Sequence, residues 1–204
     1  MHPLRFNLTN SHNPIRKNRR VPTRQTCIIF TEGETEEGYF KKFKSRCKTV
    51  KGGSMLKIVD EAIVQKKNLM RNYDQYWLVV DKDRTSPEHF MFAIQMAEMN
   101  GIQVAFSCDS FEIWWLFHYS TINSRVNPMD YEGTIKKYVH DYSFRDKGIH
   151  QGAKMWLALH SRLDSAISNA RKAHSQCKTT NEAYYQSVTT VYQLVDFLNK
   201  QRPF

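Results

Sequence analysis

Two short acidic clusters hold most of the chemistry available to this chain. The first, Glu32-Gly33-Glu34-Thr35-Glu36, directly follows the apolar run Thr26-Cys27-Ile28-Ile29-Phe30. The second, Asp81-Lys82-Asp83, directly follows Tyr76-Trp77-Leu78-Val79-Val80. Crowded carboxylates repel one another and raise their own pKa values unless a cation sits among them. Hard oxygen ligands of this kind select Mg²⁺ or Mn²⁺. The chain as a whole carries a net charge of +10, so a local concentration of acid runs against its overall balance. The pattern suggests a metal-dependent enzyme acting on phosphate.

The individual side chains carry competing readings. Glu32 follows a strand and either binds metal and moves protons or stands in solvent. Glu34 and Glu36 either join that site or are helix-start acids favoured by the positive end of the helix dipole. Asp81 and Asp83, two residues apart on an extended segment, share a face and can share a cation; the alternative is a surface Asp-x-Asp turn. Lys82 then points the other way and is not expected to be catalytic. Glu112 lies among Phe111, Ile113, Trp114 and Trp115, where an unpaired carboxylate is expensive to bury. It either reaches the acidic site or caps a helix. Ser107 binds phosphate or ends a strand, and His118 reads as a buried, satisfied histidine. Lys147, His150, Lys154 and His160 form a phosphate-contacting surface or a solvated face. Gly148-Ile149-His150-Gln151-Gly152 lacks the Gly-Lys-Ser/Thr ending of a phosphate-binding loop.

The elements that must position these groups follow from the apolar pattern. Both apolar runs are β-branched or aromatic and too short for a helix, so they read as buried strands at about 25–31 and 75–80. Residues 34–46 alternate Tyr39, Phe40 and Phe43 with charge at helical spacing. Ser54 is an N-cap for a second helix with the stripe Met55, Ile58, Val59, Ala62 and Ile63. A weak strand signal lies at Cys47–Val50. Ser86-Pro87-Glu88 opens a helix that stops at Asn100-Gly101, and Ile102–Phe106 is a further strand. This order predicts βαβ crossovers onto a mainly parallel sheet, with ligands at the carboxyl ends of the strands. Beyond residue 110 the chain reads as helical: 111–119, then a loop over 121–133, then about 134–141, 153–174 and 183–199.

Composition narrows the classes. A chain of 204 residues with 41% hydrophobic residues can form one α/β core with an extension. Cys27, Cys47, Cys108 and Cys177 show neither metal spacing nor a disulfide framework, which favours a reducing, cytoplasmic setting. No apolar run is long enough to span a membrane, and the first residues lack a signal-peptide core. Residues 1–25 contain Arg5, Arg16, Lys17, Arg19, Arg20 and Arg24 and no acid. They read as a basic arm, either merely solvated or neutralising nucleic-acid phosphates. The organisation expected is an arm over 1–23, a core over 24–120 and a helical extension packed on it over 121–204.

A strand ending in Glu and a later strand ending in Asp-x-Asp resembles the Toprim domain of topoisomerases, primases and nucleases. The chain is most similar to the RloB-like proteins. The resemblance is carried by residues 28–36 with Tyr39-Phe40, by Trp77–Asp83, by Ala105-Phe106-Ser107 and by Phe111–His118. A weaker echo lies in Ser187–Tyr192. It implies a Toprim-like α/β sheet with a helical C-terminal extension, and Mg²⁺ or Mn²⁺ held by Glu32, Glu36, Asp81, Asp83 and Glu112. Of these, Glu32, Asp81, Asp83 and Glu112 would be catalytic. It further implies a nuclease of bacterial anti-phage defence cutting DNA or RNA, tRNA included, with an ATPase partner encoded nearby. Arg16, Lys17, Arg19, Arg20, Lys147 and Lys154 would contact the nucleic acid. Several relatives have a proline before the Phe-Glu pair where this chain has Cys108-Asp109-Ser110, so Asp109 adds a carboxylate or a helix cap. Two other functions fit the same residues: a non-catalytic nucleic-acid-binding or sensor subunit, and a phosphoryl or nucleotidyl transferase on a small substrate.

Overall fold

The computed structural model describes residues 25–201. Four strands, β1 (Cys27–Thr31), β2 (Arg46–Thr49), β3 (Gln75–Asp81) and β4 (Gln103–Ser107), form one parallel sheet in the order β2-β1-β3-β4. The chain leaves β1 for β2 on one side and later returns to β3 on the other. The gap between the carboxyl ends of β1 and β3 is therefore the topological switch point, where α/β sheets bind ligands. Glu32 immediately follows β1 and Asp81 ends β3. The fold thus brings the two acidic clusters together from positions about fifty residues apart.

Between the strands run α1 (Glu34–Lys41), α2 (Met55–Lys67) and α3 (Pro87–Met99). Ser54 caps α2 by accepting from Lys57 N–H, and Ser86 caps α3 by accepting from His89 N–H. The first helix is shorter than the sequence pattern predicts. It stops at Lys41, the chain turns with Lys44 at φ 58°, and β2 begins two residues later. The buried Phe43 that extended the apolar period lies in this turn and still joins the core.

The remainder is α4 (Glu112–Phe117), α5 (Tyr131–Lys136), α6 (Ile149–Leu159), α7 (Leu163–Ser175), α8 (Thr180–Tyr184) and α9 (Val191–Lys200). Three expected helices differ. The helix expected at 134–141 lies at 131–136 instead. The one expected at 153–174 is two helices, α6 and α7, joined by a 3₁₀ turn over His160–Arg162. The break separates two apolar faces with different partners, α6 packing on α1 and α7 on α4 and α9. The helix expected at 183–199 begins only at Val191, because Val188-Thr189 lies beside β4, bridged to Ser107, and Thr190, at φ −98° and ψ 4°, precedes α9. Thr190 N–H donates to Phe106 O at 2.8 Å and Cys108 N–H to Val188 O at 2.9 Å. The hydroxyl of Thr189 also donates to Phe106 O, at 2.9 Å. These bonds cover an edge strand whose backbone groups would otherwise be open to pairing.

Contact between α1 and α6 is backbone against backbone. A Cβ on Gly38 would strike the carbonyl of Ile149, and one on Gly152 would strike the carbonyl of Thr35. Gly148, at φ 87°, opens α6 and donates its N–H to Thr35 Oγ1 at 3.0 Å. Gly152→Ala is therefore expected to lower stability by about 1–3 kcal/mol through overpacking. Chemical denaturation checks this, and an unchanged midpoint would show that the two helices separate freely. Beneath them lies an aromatic cluster in which Trp114 Nε1 donates to Tyr39 OH at 2.9 Å and Phe111 packs edge-on to Trp115.

Candidate active site

At the switch point Asp81 N–H donates to Glu32 Oε2 at 3.3 Å, tying the end of β3 to the residue past β1. Burial raises the Glu32 pKa; the Asp81 N–H lowers it and the Asp83 charge raises it again. Glu36, one turn into α1, is buried, and its Oε2 has no hydrogen-bond partner. Burial pushes its carboxyl up to about 7 against a lowering by its own backbone N–H; the charges of Glu112 and Glu32 raise it further, and Lys147 lowers it slightly. Asp81 is partly exposed as a residue, yet its Oδ1 is buried and unpartnered. Its pKa is raised well above the ordinary aspartate value by burial and by Glu36, Glu112, Glu32 and Asp83 in turn.

Glu112 is the first residue of α4, and no side chain caps that helix. It lines the same cleft, of about 610 Å³, as Glu36, Asp81, Asp83, Tyr142, Lys147 and Gln151. A second cleft of about 850 Å³ shares Asp81 and Asp83 and adds Glu32, Gly52-Gly53-Ser54, Arg84 and His89. The aspartates therefore stand on the ridge between two grooves. Asp83 does not reach that ridge on an extended segment, as the i, i+2 argument had it. The strand ends at Asp81, Thr85 N–H closes a turn onto Lys82 O at 3.0 Å, and Asp83 sits at φ 45°.

The residues present fit a divalent cation. Two buried oxygens lack a proton donor, and the charges around them oppose one another, which is the condition a cation relieves. Among the described residues, no three His, Cys, Asp or Glu side chains already stand as a ligand set. A cation held here would have to draw the carboxylates inward.

The other candidates separate clearly. Lys82 is buried, ion-paired to Asp109 at 3.3 Å and seated 4.3 Å over the Tyr184 ring. Asp109 also pairs with Arg125 at 3.0 Å, so it is neither in the acidic site nor a helix cap. Ser107 is fully buried and hydrogen-bonded to Thr189 at 3.1 Å, as the end of a strand. His118 is buried as expected but not fully satisfied: Nδ1 lies 2.9 Å from Trp114 O while Nε2 has no hydrogen-bond partner, and burial lowers its pKa to about 4. Lys147 lines the acidic cleft, whereas Lys154 is held by Asp141 at 2.8 Å. Arg16, Lys17, Arg19 and Arg20 lie outside the described residues. Gln151, Tyr142, Arg84 and His89 also line the clefts beside the carboxylates, and no spacing or residue pattern marked them as such.

A family model described as RloB-like protein matches residues 27–198. The chain belongs to the RloB-like family. The match spans every strand and both acidic clusters, and it runs through α4 and α6 almost to the end of α9, so the cleft lies wholly within the family region. No curated protein and no solved structure matches the chain. Among the described residues no helix is long and apolar enough to cross a membrane.

Proposed function

We propose that this member of the RloB-like family is a Mg²⁺- or Mn²⁺-dependent hydrolase of phosphodiester bonds in nucleic acid. The observation that carries the reading is the pair of buried, unpartnered carboxylate oxygens, on Glu36 and Asp81, in a cleft shared with Glu112 and Asp83. Glu36, Asp81 and Glu112, with Glu32 and Asp83 at the rim, would hold the cation. A bound divalent ion polarises phosphoryl oxygens and lowers the pKa of water. The chain's own groups supply the rest. In the metal-free protein Glu36, pushed up to about 7, exchanges a proton near neutral pH, and a bound cation would hold it ionised. Lys147 places positive charge in the cleft. Phe111, Trp115 and Tyr142 form a buried wall that limits water.

The parallel sheet with Glu past one strand and Asp-x-Asp past its neighbour supports a Toprim-type nuclease reading. The anti-phage role and the ATPase partner rest on the likeness to RloB-like proteins, and a cytoplasmic setting on the four free thiols. The test is cleavage of single- and double-stranded DNA, RNA and tRNA with Mg²⁺ or Mn²⁺. Glu112→Gln is expected to reduce cleavage by about a hundredfold or more. Its metal-free stability should hold or rise, because one of several repelling charges is gone. No metal-dependent cleavage of any of these polymers by wild type would overturn the nuclease reading. An active but destabilised Glu112→Gln protein would reduce Glu112 to a helix-start acid.

A further inference from the structure

The start of α6 packs directly on α1, the helix that carries Glu36, and it holds a buried donor with nothing to donate to. Gln151 is 5% exposed, lines the cleft, and its Nε2 has no hydrogen-bond partner. Buried polar groups are nearly always paired, so such a donor needs an explanation. The backbone here has no freedom to carry it away. Gly152, the next residue, is pressed against Thr35 O, and Gly148 is bonded to Thr35 Oγ1. The interlocked glycines thus hold the Gln151 amide at the cleft that the acidic cluster lines.

The chemistry of the cleft lining selects the ligand. A cationic or apolar group would leave Gln151 Nε2 unpaired. An anionic oxygen would accept from it and would be attracted by Lys147, which lines the same cleft. A phosphate presents several such oxygens at once, one set to the donors and another to the cation side. We propose that Gln151 Nε2, with Lys147, receives a non-bridging phosphate oxygen of the substrate, so that the phosphate is clamped between α6 and the carboxylates. This inference rests on the metal-dependent reading above.

The test measures metal and phosphate separately. Mn²⁺ affinity is read by electron paramagnetic resonance. Binding of inorganic phosphate to the Mn²⁺-loaded protein is read by relaxation of the phosphate ³¹P signal. Gln151→Met keeps length and burial, and Lys147→Met alters an exposed residue. Both are expected to keep Mn²⁺ affinity within about twofold and to weaken phosphate binding about tenfold, the loss of one hydrogen bond to a charged group. Equal phosphate affinity in wild type and both variants overturns the inference and leaves the metal site standing. So does wild type that binds Mn²⁺ but no phosphate. A fall in Mn²⁺ affinity in Gln151→Met overturns it as well, because Gln151 would then orient a carboxylate. Wild type that binds no Mn²⁺ removes the metal reading and this inference together.

Discussion

Metal-free protein is expected to lose stability as the pH rises from about 4.5 to 7, and Mg²⁺ or Mn²⁺ is expected to restore it. The native carboxyl of Glu36 sits at about 7 against an ordinary value of 4.5. Between those values the folded state holds a proton that the unfolded chain has released, so stability falls as pH rises through the window. The difference corresponds to roughly 3 kcal/mol. Asp81, raised for the same reasons, adds loss in the same direction. His118 works oppositely: with its native value near 4 against 6.5, it is destabilising in acid and its effect is complete above about pH 6.5. Exposed acids such as Asp74 and Asp141, held low by Thr26 and Lys154, matter only below about pH 4.

The falling, alkaline limb between about pH 4.5 and 7 therefore belongs to the acidic site, and His118 partly offsets it below about pH 6.5. For a chain of this size roughly 3 kcal/mol is about 6–12 °C in melting temperature. Glu36→Gln should flatten that limb. Cation binding, which requires ionised ligands, should tighten with pH and release protons. Melting curves of both proteins from pH 5 to 8, with and without Mg²⁺, check this. An alkaline limb identical in wild type and Glu36→Gln would mean that Glu36 is ionised in the free protein at no cost.

The carboxyl ends of β1 and β3 could be read from the sequence because local signals agree there. Each is a short β-branched or aromatic run with abrupt charge at its end, and a parallel sheet makes such ends neighbours. The placement of Glu112 was readable for a different reason: a carboxylate amid Phe111, Ile113, Trp114 and Trp115 has to go somewhere polar. The C-terminal third was harder. Val188-Thr189 lies between two helical patterns, and only a partner edge, here β4, makes its extended form pay. Gln151 was invisible, since an uncharged amide inside an apolar helix has no signature of its own. Its position follows from Gly38, Gly148 and Gly152, whose role is set by a contact between α1 and α6 more than a hundred residues apart in sequence. The turn at Asp83 was also hidden, because its left-handed backbone depends on how β3 leaves the sheet.

Two aspartates at strand ends should behave in opposite ways, and the contrast separates site from scaffold. Asp81 ends β3 with an unpartnered oxygen amid four other acids. Asp109 follows β4 and closes an ion pair with Lys82, whose side chain is 5% exposed. Asp81→Asn removes a repelling charge, so the metal-free protein should be as stable or more stable at pH 8. Its thermal response to Mn²⁺ should vanish, and cleavage should fall by about a hundredfold to a thousandfold. Asp109→Asn keeps the backbone, since Asn tolerates the φ of 76° found there. It leaves Lys82 buried with only the Tyr184 ring and the Tyr184 carbonyl, the latter at 3.2 Å. Stranding a buried charge should cost about 3 kcal/mol. The response of the surviving folded protein to Mn²⁺ should remain that of wild type. Denaturation midpoints and Mn²⁺-dependent melting of the two variants read both effects. Loss of the Mn²⁺ response in Asp109→Asn would join Lys82 and Asp109 to the site. An Mn²⁺ response surviving in Asp81→Asn would place the cation elsewhere.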